Sequence, residues 1–146
     1  MKKLSIAFLA FSFLVAVHAE ESVWLNDVPA AQKKAADEHK LVMMDFTGSD
    51  WCGWCIKLHE EVFSKPEFKT YAAKNLILVE LDFPRKKAQD KELKKANHAL
   101  QKQYNIEGYP TIVVLNGAGK EVGRLGYMEG GPKAFIGKLE ALKKKS

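Results

Sequence analysis

Apolar residues in this chain occur either in short continuous runs or at helical spacing. Continuous runs at residues 41–46, 76–81 and 111–115 are typical of buried strands. A further strand is predicted at residues 122–125, because the sequence Asn-Gly-Ala-Gly at residues 116–119 favours a tight hairpin turn. The pattern therefore predicts a sheet that ends in a hairpin.

Helical spacing dominates the first half of the chain outside these runs. Residues 26–40 are predicted to form an Ala-rich helix with Pro29 in its first turn. A second helix is predicted to begin near Cys52, since Cys55, Leu58 and Val62 recur on one face. The sequence Ser-Lys-Pro-Glu at residues 64–67 is typical of a capping box that opens the next helical segment, in which Phe68, Tyr71 and Ala72 share one side.

Two more helices are predicted in the second half of the chain. Residues 89–104 form a lysine-rich helix whose predicted inward residues are Leu93, Ala96 and Leu100. The last helix is predicted from the spacing of Phe135, Ile136, Leu139 and Leu142. Strands that alternate with helices and end in a hairpin imply an α/β fold, with a central mixed β-sheet flanked by helices on both faces.

The N-terminus has the pattern of a secretory signal peptide. Two lysines precede an apolar run at residues 4–17, and Val-His-Ala at residues 17–19 resembles a cleavage site. We expect residues 1–19 to be removed and residues 20–146 to form one periplasmic or secreted domain. An uncleaved membrane anchor is the alternative, although the apolar run is shorter than the roughly 20 residues of a membrane span.

The only two cysteines, Cys52 and Cys55, are separated by two residues, which leaves three interpretations. A structural disulfide stabilises mainly by closing a long loop, and this pair closes a very short one. A structural zinc site needs four ligands, and His39, His59 and His98 are not paired at ligand spacing. The third interpretation is a working redox pair. We expect no metal and no cofactor.

The position of the cysteines favours redox chemistry. Cys52 is predicted at the junction between a buried strand and a helix, where free backbone N–H groups favour a thiolate. Cys55 lies one turn later on the inward face. We therefore expect Cys52 to be the exposed nucleophile and Cys55 to be the shielded, resolving thiol, which is the asymmetry that disulfide exchange requires.

The sequence resembles the thioredoxin family in two stretches. These are LVMMDFTGSDWCGWCIKL, at residues 41–58, and IEGYPTIVVLNGAGKEVGRLGY, at residues 106–127. Within the family, the chain is most similar to exported thioredoxin-like proteins and to the C-terminal thioredoxin-like domain of the DsbD type. The resemblance covers residues 22–144 and implies the thioredoxin fold.

The resemblance also implies roles for residues outside the cysteine pair. By analogy, the Tyr109–Pro110 peptide bond should be cis, Pro110 should lie beside the cysteines, and the backbone of Tyr109 should receive an extended substrate. Asp45 resembles the buried aspartate that relays a proton to the resolving cysteine. The loop at residues 47–50 is one residue longer than is usual in the family, and Glu80 stands where a lysine is common.

The remaining site predictions concern the residues around the nucleophile. Trp51, Gly53 and Trp54 are predicted to contact substrate, although Trp51 could instead pack against the core. Glu80 could raise the pKa of Asp45 or could simply be solvated. His59 is predicted to be a solvated helix residue.

These features indicate an exported thiol–disulfide oxidoreductase. Trp54 supplies no cation to stabilise a thiolate, which favours a reductase or isomerase over a strong oxidant. The implied partners are disulfide-containing exported proteins and a membrane thiol donor, and the protein is expected to be a monomer. A nucleic-acid partner is not expected, despite the formal net charge of +5, because the lysines are better explained as a solvated face. The alternative is a non-catalytic binding module with the same fold, such as a chaperone or a metal-delivery protein.

Overall fold

The computed structural model describes residues 23–145. The predicted signal peptide and the predicted domain start at residue 20 lie outside the described residues. Within them, the secondary structure runs in the order β1 (Trp24–Leu25), α1 (Val28–Glu38), β2 (Leu41–Thr47), α2 (Gly53–Leu58), a π-helical turn (His59–Phe63), α3 (Pro66–Asn75), β3 (Leu76–Asp82), α4 (Lys91–Gln103), β4 (Thr111–Leu115), β5 (Glu121–Leu125) and α5 (Gly131–Lys143).

The strands form one mixed sheet in the order β1-β3-β2-β4-β5. Strand β3 runs parallel to both β1 and β2, whereas β4 is antiparallel to β2 and to β5. Strand β2 lies at the centre and is buried along its whole length. This central position explains why β2 is mostly apolar, because both faces of the strand are covered; its polar residues, Asp45 and Thr47, lie at its carboxyl end next to the cysteine loop.

Helices cover both faces of the sheet, as the sequence predicted. Along β2, Met43 faces the layer that contains α3 and α5. Its neighbour Met44 faces the layer that contains α1 and residues of α4. Successive strand residues thus enter two separate cores, and the carboxyl end of β2 is fixed between them. No helix within residues 23–145 is both long and apolar enough to cross a membrane.

The predicted capping box at residues 64–67 is wrong. Ser64 has a helical backbone and closes the π-helical turn, and its hydroxyl donates to the backbone oxygen of Glu60 at 2.9 Å. Lys65 is the N-cap of α3, and it makes no side-chain cap bond. The π-helical turn ahead of α3 causes this difference. It continues helical backbone as far as Ser64, the residue that a capping box would require to be non-helical.

Two other local predictions differ from the structure. In α4, Ala96 is exposed and Asn97 is buried instead, because the Asn97 side-chain amide donates to the backbone oxygen of Asp82 at 3.0 Å. This bond fixes the rotation of the helix against the end of β3. Strand β1 was not predicted, since two residues are too few to show a period.

Candidate active site

The cysteines form a disulfide where the loop after β2 enters α2. Cys52 is the N-cap residue with an extended backbone, and Cys55 lies in the first turn. Their Cα atoms are 5.2 Å apart, a normal separation for a disulfide. The backbone N–H of Cys55 donates to Cys52 Sγ at 3.2 Å. The Cys52 sulfur therefore occupies the position of a capping oxygen, where negative charge is favoured.

The predicted difference in exposure between the cysteines is absent from the disulfide form. Cys52 is 7% exposed and Cys55 is 5% exposed, so the expected exposed Cys52 is nearly covered. The reason is that the Cys52 sulfur folds back over the first turn and is bonded to the inward-facing Cys55. While they are joined, the two sulfurs differ in their position along the helix rather than in their exposure.

Tyr109 and Pro110 lie at the same end of the sheet as the cysteine loop. The next residue, Thr111, pairs with Phe46 near the end of β2. The Tyr109–Pro110 peptide bond is cis, as the resemblance implied. The Tyr109 ring meets the Trp51 ring edge-on, with a centroid separation of 5.8 Å. This ring contact places the segment before β4 beside the cysteine loop.

Trp51 is held from three sides. Its Nε1 donates to the backbone oxygen of Phe83 at 2.8 Å. The guanidinium of Arg85 lies over the Trp51 ring, 3.6 Å from its centroid. A Cβ added at Gly48 would lie only 2.5 Å from the ring, so the ring occupies the space that the missing side chain leaves. Trp51 is half-buried, and part of its surface lies next to Cys52.

Trp54 is 58% exposed and forms an aromatic platform with Tyr127, at a centroid separation of 4.9 Å. The ammonium of Lys57 lies 5.2 Å from the Trp54 ring and 5.0 Å from the Tyr127 ring. Glu61 accepts a hydrogen bond from the Tyr127 hydroxyl at 2.7 Å. Gly53 has open space around its Cα, with no atom that an added Cβ would contact. An exposed, fixed aromatic surface therefore adjoins the disulfide.

A cavity of about 290 Å³ lies behind the disulfide. Asp45, Cys55, His59, Glu80 and Lys87 contribute to its lining. Asp45 is 7% exposed, and its Oδ1 has no hydrogen-bond partner within the described residues. Burial, with the negative charges of Glu80 and Asp82, raises the pKa of Asp45 to about 8. The cavity therefore connects the shielded cysteine to a carboxyl group that titrates near neutral pH.

The position of Asp45 follows from strand pairing. Asp45 is opposite Glu80 in the register of β2 and β3, and β2 continues to Thr47. Asp45 thus lies inside β2, two residues before the end of the strand, and the cysteine loop follows that end. Glu80 itself is exposed, and partial desolvation of its carboxyl group together with the nearby charge of Asp82 raises its pKa. His59 is exposed, as the sequence predicted, and it lines the cavity as well.

Several residues of the site were missed by the sequence analysis. Asp50 accepts hydrogen bonds from the backbone N–H groups of residues 85–87, at 3.0, 2.7 and 2.8 Å. Ser49 donates to Asp82 through its N–H at 2.9 Å and through its hydroxyl at 2.6 Å. Tyr127, distant in sequence, was also missed. The sequence does show an acidic residue, Asp50, in the cysteine loop and a basic segment after β3. That these two segments bind each other is visible only in the folded structure.

The described residues hold no obvious metal centre. Across residues 23–145, no group of three or more His, Cys, Asp or Glu side chains is arranged to hold a metal ion.

Known proteins match both the sequence and this geometry. A family model described as a Thioredoxin-like domain matches residues 28–143. The chain belongs to the thioredoxin-like family of disulfide oxidoreductases. Disulfide bond reductase DsbH of Chlamydia pneumoniae is 38% identical over 111 residues, which cover 76% of this chain and 67% of that protein. A solved DsbH oxidoreductase structure is 34% identical with a TM-score of 0.80, covering 96% of this chain and 95% of the other.

More distant proteins match the fold or the sequence. The oxidised DsbD C-terminal domain of Neisseria meningitidis has a TM-score of 0.59 at 23% identity, covering 82% of this chain and 98% of the domain. Thioredoxin-related protein DsbJ of Chlamydia pneumoniae is 28% identical, and the match covers 74% of this chain but only 31% of DsbJ. The predicted fold and family are therefore confirmed.

Proposed function

We propose that this protein is an exported disulfide reductase that acts on exported proteins. The observation that carries the proposal is the Cys52–Cys55 disulfide at the start of α2, with Cys52 Sγ in the capping position. The DsbH relative, which is 38% identical, is named a disulfide bond reductase, and this supports the same direction of electron flow. The signal-peptide pattern at residues 1–19 supports export.

The first step is attack by the reduced protein on a substrate disulfide. The Cys52 thiolate forms a bond to one substrate sulfur, and the substrate S–S bond breaks. The released substrate sulfur leaves as a thiolate and takes a proton from water. Binding of the flanking chain would use the exposed Trp54 surface, Gly53 and the backbone of Tyr109, while Trp51 and Pro110 shape the groove beside Cys52.

The second step resolves the mixed disulfide. The Cys55 thiol gives its proton to Asp45, and the new thiolate attacks Cys52 Sγ. The bond between Cys52 and the substrate breaks, and the second substrate sulfur leaves with the electron pair. It is the ionised carboxylate of Asp45 that accepts the Cys55 proton; in the disulfide form its pKa is about 8, close to the ordinary thiol pKa of about 8.5, so Asp45 and the thiol are matched in acidity. Two electrons have then passed from the protein to the substrate.

The disulfide form must next be reduced by a dithiol donor. A donor thiolate attacks Cys52 Sγ, and Cys55 leaves as a thiolate. Asp45 is mostly protonated at neutral pH in this form, because its pKa is about 8, and it can return the proton to Cys55. A membrane thiol donor is the source that the proposal requires, since an oxidising compartment does not supply these electrons.

A trapping experiment tests this function. The Cys55→Ala variant, expressed with its signal peptide in the native host, should stop at the mixed disulfide, because no resolving thiol remains. We expect exported proteins to be covalently attached to Cys52, released by reductant and identifiable by mass spectrometry. The Cys52→Ser variant is the matched control, and it should trap nothing and should not reduce insulin in a turbidity assay.

Two results would contradict the proposal. An empty trap in correctly exported Cys55→Ala protein would show that Cys52 does not attack substrates. Partner binding that persists in Cys52→Ser, with no disulfide reduction by the wild type, would support the non-catalytic binding module instead.

A further inference from the structure

The positive charge of this chain is concentrated in one segment near the disulfide. Residues 84–102 contain seven Lys or Arg residues and two Asp or Glu residues, an excess of five. The formal net charge of the whole chain is also +5, so the rest of the sequence is balanced. The segment comprises the loop after β3 and most of α4. A local charge excess of this size creates a field that acts on charged partners.

The start of this segment is fixed against the cysteine loop. Asp50 accepts the three backbone N–H groups of residues 85–87, and Arg85 stacks on Trp51 at 3.6 Å from the ring centroid. Trp51 directly precedes Cys52. The exposed residues 85–87 are therefore held beside the reactive sulfur mainly through their backbone. Of their charged groups, the Arg85 guanidinium covers one face of Trp51 and the Lys87 ammonium donates to the Ser49 hydroxyl at 3.2 Å, whereas that of Lys86 makes no hydrogen bond or ion pair within residues 23–145.

Helix α4 continues the same charged surface. The His98 ring lies 5.3 Å from the ring of Phe83, and the Gln101 amide donates to the Tyr109 hydroxyl at 2.7 Å. The flank of α4 that carries His98 and Gln101 therefore faces the site. Lys94 is exposed and lies one turn before His98 on that flank. We call Arg85, Lys86, Lys87 and Lys94 the basic rim.

Two of the carboxylates near the basic rim are already hydrogen-bonded, and a third, Glu80, interacts through its charge with Lys87. Asp50 is bonded to backbone N–H groups, and Asp82 is bonded to Ser49 at 2.9 and 2.6 Å. Within residues 23–145, no salt bridge joins Arg85, Lys86 or Lys94 to a carboxylate. On the other side of the disulfide, Lys57 is paired with Glu61 at 3.8 Å. The site is therefore electrostatically asymmetric, with its available cations on the Trp51 side.

We propose that the basic rim binds Asp and Glu side chains that flank the disulfide of the substrate polypeptide. The protein would then prefer cysteines in acidic segments over cysteines in neutral or basic ones. Charge complementarity at an exposed rim acts mainly on the encounter rate and on its salt dependence. This inference rests on the proposed function, because it assigns the substrate class of the same site.

Three model peptides test the preference. Each is cyclised by one disulfide and differs only in the residues next to the cysteines, which are Asp, Asn or Lys. We expect the prereduced protein to reduce the Asp peptide about tenfold faster than the Asn peptide at low salt, and the Lys peptide more slowly than both. At about 0.5 M salt the difference should fall below about twofold, because the Debye length then shortens to a few Å.

Two variants assign the effect to the basic rim. Lys86→Gln combined with Lys94→Gln, which leaves the stacking of Arg85 on Trp51 intact, should slow reduction of the Asp peptide about fivefold and leave the Asn peptide unchanged. Lys120→Gln is the control, since this exposed lysine lies in the β4–β5 turn, at the opposite end of β4 from Pro110. It should leave all three rates unchanged. Circular dichroism checks that each variant is folded.

The outcomes separate the two proposals. Failure to reduce the Asn peptide would contradict the proposed reductase itself. Normal reduction of the Asn peptide, with equal rates for the three wild-type peptides at low salt, would overturn only the substrate preference. Equal rates together with salt-sensitive binding to vesicles of anionic phosphatidylglycerol would also overturn it, and would assign the rim to a membrane surface.

Discussion

At Gly48, the absence of a side chain gives room to the indole of Trp51. A Cβ at this position would lie 2.5 Å from Cε2 and 2.7 Å from Nε1 of the ring. The same Nε1 donates to the backbone oxygen of Phe83 at 2.8 Å. The orientation of Trp51, and with it the stacking of Arg85, therefore depends on this glycine.

We predict that Gly48→Ala destabilises the protein by about 1–3 kcal/mol, because the ring or the loop must move to relieve the overlap. The substitution should also slow disulfide reduction, since displacement of Trp51 disturbs the residue next to Cys52. Chemical denaturation measures the stability, and the insulin turbidity assay measures the rate.

Gly137→Ala is the matched control for this prediction. Gly137 lies inside α5, and no atom stands within 4 Å of the Cβ that would be added. Alanine is favoured over glycine in a helix by about 1 kcal/mol, so this variant should be more stable than the wild type. Equal stability of the two variants would contradict the steric account of Gly48.

At the scale of elements, one carboxylate orders the loop between β3 and α4. Asp50 accepts hydrogen bonds from three successive backbone N–H groups at residues 85–87. These bonds lower the pKa of Asp50. The loop after β3 is thereby attached to the loop after β2, and the basic rim depends on this attachment.

We predict that Asp50→Ala increases the hydrogen-exchange rates of the amides of residues 85–87 by about three- to tenfold, the range expected for the loss of one hydrogen bond at each amide. Residue-resolved hydrogen exchange by NMR measures these rates. Asp37→Ala, which removes an exposed carboxylate paired with Lys33 on α1, should leave these amides unchanged. Unchanged exchange in Asp50→Ala would show that the loop is held by other contacts.

At the scale of the whole molecule, the buried Asp45 links stability to pH. Its pKa is about 8 in the folded protein and near 3.9 in an unfolded chain. Between these values the native state binds the additional proton, so stability falls as the pH rises, by up to about 1.4 kcal/mol per pH unit. The loss is complete once the pH exceeds the folded pKa.

We predict that Asp45→Asn removes this dependence. The variant should have a flatter stability profile between pH 5 and 8 and should exceed the wild type at pH 8 by on the order of 3 kcal/mol. Urea denaturation of the disulfide form across this range measures the profile. Glu107→Gln, at an exposed position, should follow the wild-type curve, and a parallel curve for Asp45→Asn would contradict a raised pKa.

Much of the architecture could be predicted from the sequence, because it depends on local periodicity. The runs that form β2, β3 and β4 were found almost to the residue, and Cys52 was placed correctly at the start of a helix. The errors occurred where tertiary contacts override local patterns. Asn97 turns α4 through a bond to the Asp82 backbone, and the wide turn ahead of α3 gives Ser64 a helical backbone.

The candidate site was predictable only in part. The cysteine pair and the cis bond before Pro110 followed from motifs and from the resemblance. A raised pKa of Asp45 was only one of two alternatives, and its largest cause is burial rather than the charge of Glu80. The contacts of Tyr127 and Asp50 could not be predicted, because each joins segments that are far apart in sequence. The small exposure of Cys52 was also unexpected, since it results from the disulfide and not from the helix position alone.

The π-helical turn at residues 59–63 follows α2 directly, so one helical stretch carries both the cysteine pair and the residue that binds Tyr127. Upstream of it lies the cysteine pair, and within it lies Glu61, which anchors Tyr127 beneath the exposed Trp54. Removing one residue from this turn would rotate α3 by about 100° and carry its buried residues Phe68 and Ala72 away from the core. The length of this turn is therefore fixed both by the packing of α3 and by the bond between Glu61 and Tyr127 beside the site.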